Sequence, residues 1–124
     1  MKPEEKARVK IDQMFEDAGW AVVDRDYYTP TLSAAAIREG LLEGNREADY
    51  FLFINGKAVG VLEAKRKEVN VTKDEVGEQA IMYARGVPEC YQAYSRPLPI
   101  IYQSNGNYTY YRDFRDKDGE LIEL

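Results

Sequence analysis

Histidine is absent from this 124-residue chain. Without an imidazole there is no Ser-His-Asp triad, no HExxH zinc site and no nuclease built on a histidine base. Cysteine is nearly absent. The single Cys90 excludes an internal disulfide framework and a thiolate zinc cluster, and a buried structural thiol is its expected role. No apolar run reaches membrane-spanning length. The acidic opening MKPEEK does not read as a signal peptide, so the expectation is a cytoplasmic protein without a membrane partner. A basic excess is missing as well: the net charge of −5 argues against a stand-alone nucleic-acid binder, because duplex affinity is mostly phosphate neutralisation. That objection weakens where acids cluster around a metal, or where other domains hold the duplex. Any hydrolysis must run on carboxylates, lysine and hard metal ions.

What is present suits one folded domain. Apolar residues at 44% and charged residues at 31%, without low-complexity tracts or internal repeats, separate the chain from disordered sequences. Its length allows one real core. From Pro3 to about Ala18, apolar Ala7, Ile11, Met14, Phe15 and Ala18 fall on one helical face, with Pro3 suited to the first turn and Gly19 to the end. WAVVDRDYY reads as a short strand or extended link and TPTLSA as a loop. Ala34 to Glu39, followed by Gly40 and Gly44, leans towards strand. A second helix is expected from Thr72, where Thr72 and Glu75 have capping-box spacing, to near Gly86, with Pro88 beyond it. Gln79 and Tyr83, four apart, share one face of that helix. PLPIIYQSNGNYTYYRDF supplies two more strands around Asn105-Gly106.

The clearest local signal is ADYFLFINGKAVGVLEAK, two apolar strands around the hairpin marker Asn55-Gly56. Its register has chemical consequences. A simple two-residue loop would set Asp49 opposite Leu62, and Asp49 and Glu63 would point to opposite faces. An odd-length loop or one bulge brings Asp49, Phe51, Val61, Glu63 and Lys65 to one face and leaves Tyr50, Leu52, Ile54, Leu62 and Ala64 on the other. Both faces are then apolar, as in a sheet covered by helices.

Two carboxylates on adjacent strands can share a divalent ion, and oxygen-only ligation with open positions suits Mg²⁺. Such an ion acidifies bound water and neutralises charge growing on a phosphoryl oxygen. A lysine two residues after one ligand can hold the nucleophilic water or stabilise the charged transition state. An acid and a lysine at this spacing usually make only a weak surface ion pair. Here they end a strongly apolar strand, where charge is costly unless it faces a cleft or partner.

The stretch EADYFLFINGKAVGVLEAKRK, followed by EQAIMYAR and PIIYQSNG, resembles the PD-(D/E)XK nuclease domain at the amino end of the restriction (R) subunits of type I restriction-modification enzymes. The opening ARVKIDQMFEDAGW is similar to that family's first helix, and AIREG to its strand carrying an acid ahead of the aspartate. The resemblance implies an α/β, restriction-endonuclease-like αβββαβ core with a mixed central sheet flanked by helices. It implies a nuclease domain over residues 1–115 and a polar tail or linker over 116–124 towards a translocase region. By resemblance, Asp49 and Glu63 bind Mg²⁺, with Mn²⁺ as a substitute, and Lys65 serves the attacking water. Gln79 and Tyr83 fall on the QxxxY motif and contact DNA backbone, while Glu39 matches the earlier acid as an auxiliary catalytic ligand. Ala48 stands where the motif's name has proline, a backbone preference without chemistry. The family's partners are double-stranded DNA, the motor domains of the same subunit, and the modification and specificity subunits. The chain has no GxxxxGK[ST] phosphate loop, so ATP would act only through the motor region. Two other readings stand beside this one. A catalytically silent nuclease-like module could dock partners or clamp DNA, its tyrosines offering a contact or stacking surface, and a stand-alone repair or junction nuclease could share the fold.

Overall fold

A computed structural model of the chain describes residues 3–41, 47–116 and 119–124. The first helix, α1, spans Pro3–Asp17, and Gly19 leaves it at φ 95°, the left-handed conformation that glycine adopts without a Cβ clash. Ala7, Ile11 and Phe15 are buried as their spacing predicts. Met14 is half-buried, whereas Ala18 lies beyond the last helical residue and is exposed.

Strands β1 (Ala21–Asp24), β2 (Ala34–Leu41), β3 (Glu47–Ile54) and β4 (Lys57–Ala64) follow. The ambiguous alanine segment is thus a strand, and it runs through Gly40; Gly44 lies outside the described residues. After β4 come α2 (Asp74–Arg85), β5 (Ile100–Ser104), β6 (Thr109–Asp113) and β7 (Ile122–Glu123). The strands form one mixed sheet in sequence order, β1 parallel to β2, β4 parallel to β5, and the remaining neighbours antiparallel. Helix α2 is the crossover between the parallel strands β4 and β5, as such a connection requires. Among residues 116–124, Ile122 and Glu123 form β7 beside β6, both exposed.

The hairpin combines both devices the sequence left open. Asn55 and Gly56 form a two-residue turn at φ 50° and 82°, with Ile54 opposite Lys57 and Phe53 opposite Ala58. A register shift then follows between Leu52 and Phe53, so that Leu52 faces Gly60, Phe51 faces Val61 and Tyr50 faces Leu62. Val59 is the extra residue. Carried one step further, this register sets Asp49 opposite Glu63 on one face.

That face is covered by α2: Phe51, Phe53, Ala58 and Val61 pack with Ala80 and Ala84. The other is covered by α1: Tyr50, Leu52, Leu62 and Ala64 pack with Ile11 and Phe15. The sheet is therefore buried on both sides, which explains the nearly continuous apolar strands. Ile54, expected on the α1 face, is 42% exposed because it borders the turn. Two further expectations are corrected. Cys90 is exposed, in the turn that follows Pro88. The Thr72 capping box does not form, since its hydroxyl donates to Asn70 Oδ1 at 2.7 Å and Lys73 takes the cap position.

Gly60 permits a close approach between β4 and β5. A Cβ there would lie 2.5 Å from the Ile100 carbonyl oxygen on β5, and backbone cannot swing aside as a side-chain tip can. Gly60→Ala is expected to destabilise the protein by about 2–4 kcal/mol through overpacking and strand separation. Urea unfolding measures it, and an unchanged midpoint would show that the β4–β5 spacing adapts freely.

Candidate functional site

The two acids carried by the adjacent strands β3 and β4 are not equivalent in their surroundings. Asp49 lies at the start of β3, its side chain 17% exposed, and both of its oxygens are engaged. Oδ1 accepts from Arg8 Nη2 at 2.7 Å and Oδ2 from the Ala64 backbone N–H at 2.8 Å. The second contact ties Asp49 to the residue beside Glu63. Glu63 lies at the end of β4 with its side chain 2% exposed, and its Oε1 pairs with Lys65 Nζ at 2.9 Å. Its Oε2 is buried without a direct hydrogen bond among the described residues. Burial pushes the Glu63 carboxyl up to about 7, the adjacent Asp49 carboxylate adds to the rise, and Lys65 and the more distant Tyr83 hydroxyl pull it back. Repulsion between neighbouring acids and an orphaned buried oxygen are the condition that a divalent cation relieves.

Lys65 continues the chain of contacts onto α2. Its Nζ donates to Gln79 Oε1 at 3.0 Å, and Gln79 Nε2 donates to the Tyr83 hydroxyl at 3.0 Å. The i, i+4 spacing stacks the last two on the helix face turned to β4. Burial and then the negative charge of Glu63 raise the Tyr83 phenol, which therefore keeps its proton near neutral pH. Glu63, Lys65, Gln79 and Tyr83 thus form one connected row. Glu39 is reached differently. Its Oε1 accepts from Arg8 Nη1 at 3.0 Å, so it joins Asp49 through a guanidinium and not directly. No three acidic or cysteine side chains gather closely enough to hold an ion among the described residues, and the candidate donor set is the Asp49–Glu63 pair. Its all-oxygen chemistry and unpartnered Oε2 fit Mg²⁺, which needs only one or two carboxylates beside its waters.

Sequence reasoning missed Arg8, which connects two of the expected residues. Its only signal was a charged pair, Arg8 and Asp12, four apart beside the apolar face of α1. Asp12 accepts from Arg38 Nη2 at 2.8 Å and from the Tyr50 hydroxyl at 2.6 Å, so the pair straps α1 to β2 and β3 at two heights. A basic concavity also went unpredicted. Lys6, Lys10 and Lys67 line a cavity of about 150 Å³ with Ala7, Glu68 and Asn105, between α1 and the chain after β4.

Residues 36–120 match the family described as the type I restriction enzyme R protein N terminus. The chain belongs to that family. The match takes in β2 through β6 and so contains Glu39, Asp49, Glu63, Lys65, Gln79 and Tyr83. Among solved structures, the R-protein chain is similar to the type IIG restriction endonuclease BpuSI, at 15% identity and a TM-score of 0.53, over 96% of this chain. It spans 12% of that enzyme's chain, so the likeness concerns the fold, which is restriction-endonuclease-like. No curated protein matches. No helix among the described residues of this R-protein domain is long and apolar enough to cross a membrane.

Proposed function

We propose that this R-protein domain is the cleavage module of a type I restriction enzyme, a Mg²⁺-dependent endonuclease of the PD-(D/E)XK kind that hydrolyses phosphodiester bonds of double-stranded DNA. One observation carries the reading: Glu63, buried beside Asp49, has an unpartnered oxygen and a lysine 2.9 Å from its other oxygen. A structural ion pair has no need of the second acid, whereas a metal site does.

In this reading Asp49 and Glu63 hold Mg²⁺, or Mn²⁺ in its place, and the ion supplies neutralisation of charge developing on the phosphoryl oxygens. Lys65 holds the attacking water and donates towards that charge. Gln79 fixes the Lys65 ammonium, and Tyr83 fixes Gln79, so the row is oriented before substrate arrives; in this reading both would also contact DNA backbone. Glu39 acts through Arg8. No base-reading helix is apparent among the described residues, and in this reading sequence specificity is assigned to other subunits of the complex. ATP acts through motor domains. Asp49→Asn is expected to abolish cutting while the circular dichroism spectrum and the melting cooperativity stay native. Retained cutting would refute the assignment. Metal uptake indifferent to both carboxylates would favour the docking or clamping module instead.

In this reading the lysine-lined cavity offers positive charge to a neighbouring DNA phosphate. Replacing Lys6, Lys10 and Lys67 together by Gln should weaken duplex binding at low salt and lower the slope of log affinity against log salt by about 2–3. Fluorescence anisotropy across a salt series measures it. An unaltered slope would remove the cavity from the DNA path.

A further inference from the structure

Arg8 stands between two carboxylates that belong to the sheet, although it is carried by the helix. Nη1 reaches Glu39 and Nη2 reaches Asp49, at 3.0 and 2.7 Å. The planar fork of a guanidinium suits this bridging, and its charge is permanent. Glu39 holds its end of the bridge at φ 53°, inside β2. That conformation costs a residue with a side chain and persists only where neighbours enforce it. Arg25 Nη1 donates to the Glu39 carbonyl at 3.1 Å and helps fix the backbone there.

Docking of α1 does not rest on this bridge alone. Ile11 and Phe15 are buried against the sheet, Asp12 is gripped by Arg38 and Tyr50, and Lys10 Nζ donates to Asn107 Oδ1 at 2.7 Å. The Arg8 bridge instead ends on an oxygen of the carboxylate pair. Asp49 is fully engaged while Glu63 next to it has a free oxygen, so the two acids are unequally prepared for a cation.

We propose that Arg8 is a positioning residue that serves as an internal counter-cation, holding Asp49 in place before a divalent ion binds and competing with that ion for Asp49 Oδ1. The inference rests on the metal-dependent reading given above. With Arg8 in contact, an incoming ion meets a carboxylate whose charge is already balanced and must share or displace the guanidinium. Arg8 thereby weakens uptake of free metal and keeps the site intact without it.

Calorimetric titration of Mn²⁺ and of Mg²⁺ into the metal-free chain tests this directly. Arg8→Gln should bind about tenfold more tightly than wild type, because a fixed positive charge within a few ångströms of the ion is gone. Arg8→Lys should fall between, since one ammonium cannot span both carboxylates. Thermal melts add a second readout: Arg8→Gln should lower Tm in chelator more than in saturating metal, whereas loss of a mere strap would lower both equally. Equal or weaker metal binding by folded Arg8→Gln would overturn the proposal. If Arg8→Gln does not fold, Arg8→Lys decides alone, and affinity no tighter than wild type overturns it. Glu63→Gln separates the two levels. Wild-type uptake that does not depend on Glu63 removes the metal reading and this inference together, while Glu63-dependent uptake unaffected at Arg8 removes only the inference.

Discussion

Glu63→Gln is expected to reduce DNA cleavage by about 10³-fold or more and, in chelator-treated protein, to raise stability. The two effects share one cause. The carboxyl is 2% exposed, has an unpartnered oxygen and is raised by burial to about 7 from an ordinary 4.5. Below about pH 4.5 it is protonated in folded and unfolded chains alike and contributes no pH dependence. From there to about pH 7 the unfolded chain ionises while the folded protein keeps its proton, so the folded state binds more protons and wild-type stability falls as pH rises. Above about pH 7 both states are ionised and the full penalty is present, on the order of 3 kcal/mol. The amide removes the ionisation, so the advantage of the variant should be absent near pH 4 and complete at about pH 8, where Tm should rise by several degrees. Saturating Mg²⁺ should stabilise the wild type and leave the variant nearly unchanged. Chelated wild type as stable as the variant at about pH 8 would show that Glu63 is not strained, and the case for a metal there would lose its physical basis.

The fold was legible where burial acts on both faces of a strand, because two-sided burial forces long apolar runs that turn residues then punctuate. Asn55-Gly56 located the hairpin, Gly19 and Gly86 ended the helices, and the apolar strands announced helices on both sides. The bulge was legible only by inference from chemistry: nothing in AVGVL marks Val59 as the extra residue, and only the requirement that Asp49 and Glu63 share a face pointed to a shift. Thr72 misled because Asn70 competes for its hydroxyl, and a side-chain partner two residues away is invisible to a spacing rule. Cys90 misled because residue type predicts average burial, whereas its position in a turn decides actual burial. At the site, residues joined by strand alternation or helical period were readable: Glu63 with Lys65, and Gln79 with Tyr83. Arg8 was not, because no local period links α1 to β3 across 41 residues of sequence.

Lys65→Ala is expected to match Glu63→Gln in activity and oppose it in stability. Cleavage should fall by about 10²–10⁴-fold, the range for removing a donor aimed at developing charge or a group that handles the attacking water. Stability in chelator should fall too, because the 2.9 Å pair with Glu63 is its strong direct contact and Lys65 is what pulls that carboxyl back from a still higher pKa. Breaking a buried pair from one side typically costs about 3–5 kcal/mol. Glu63 escapes part of this by taking up a proton, so the loss should be small near pH 5 and grow above about pH 7. Metal uptake should persist, since both carboxylates remain, and Mg²⁺ should stabilise Lys65→Ala more than wild type by restoring the missing positive charge. Gln79 and Tyr83 would keep their mutual bond but lose the group they orient. One loss of cleavage would thus accompany two opposite responses to metal, abolished in Glu63→Gln and enlarged in Lys65→Ala. A surface ion pair on a docking module would yield neither response, because a solvated lysine and acid exchange their charges with water at almost no cost.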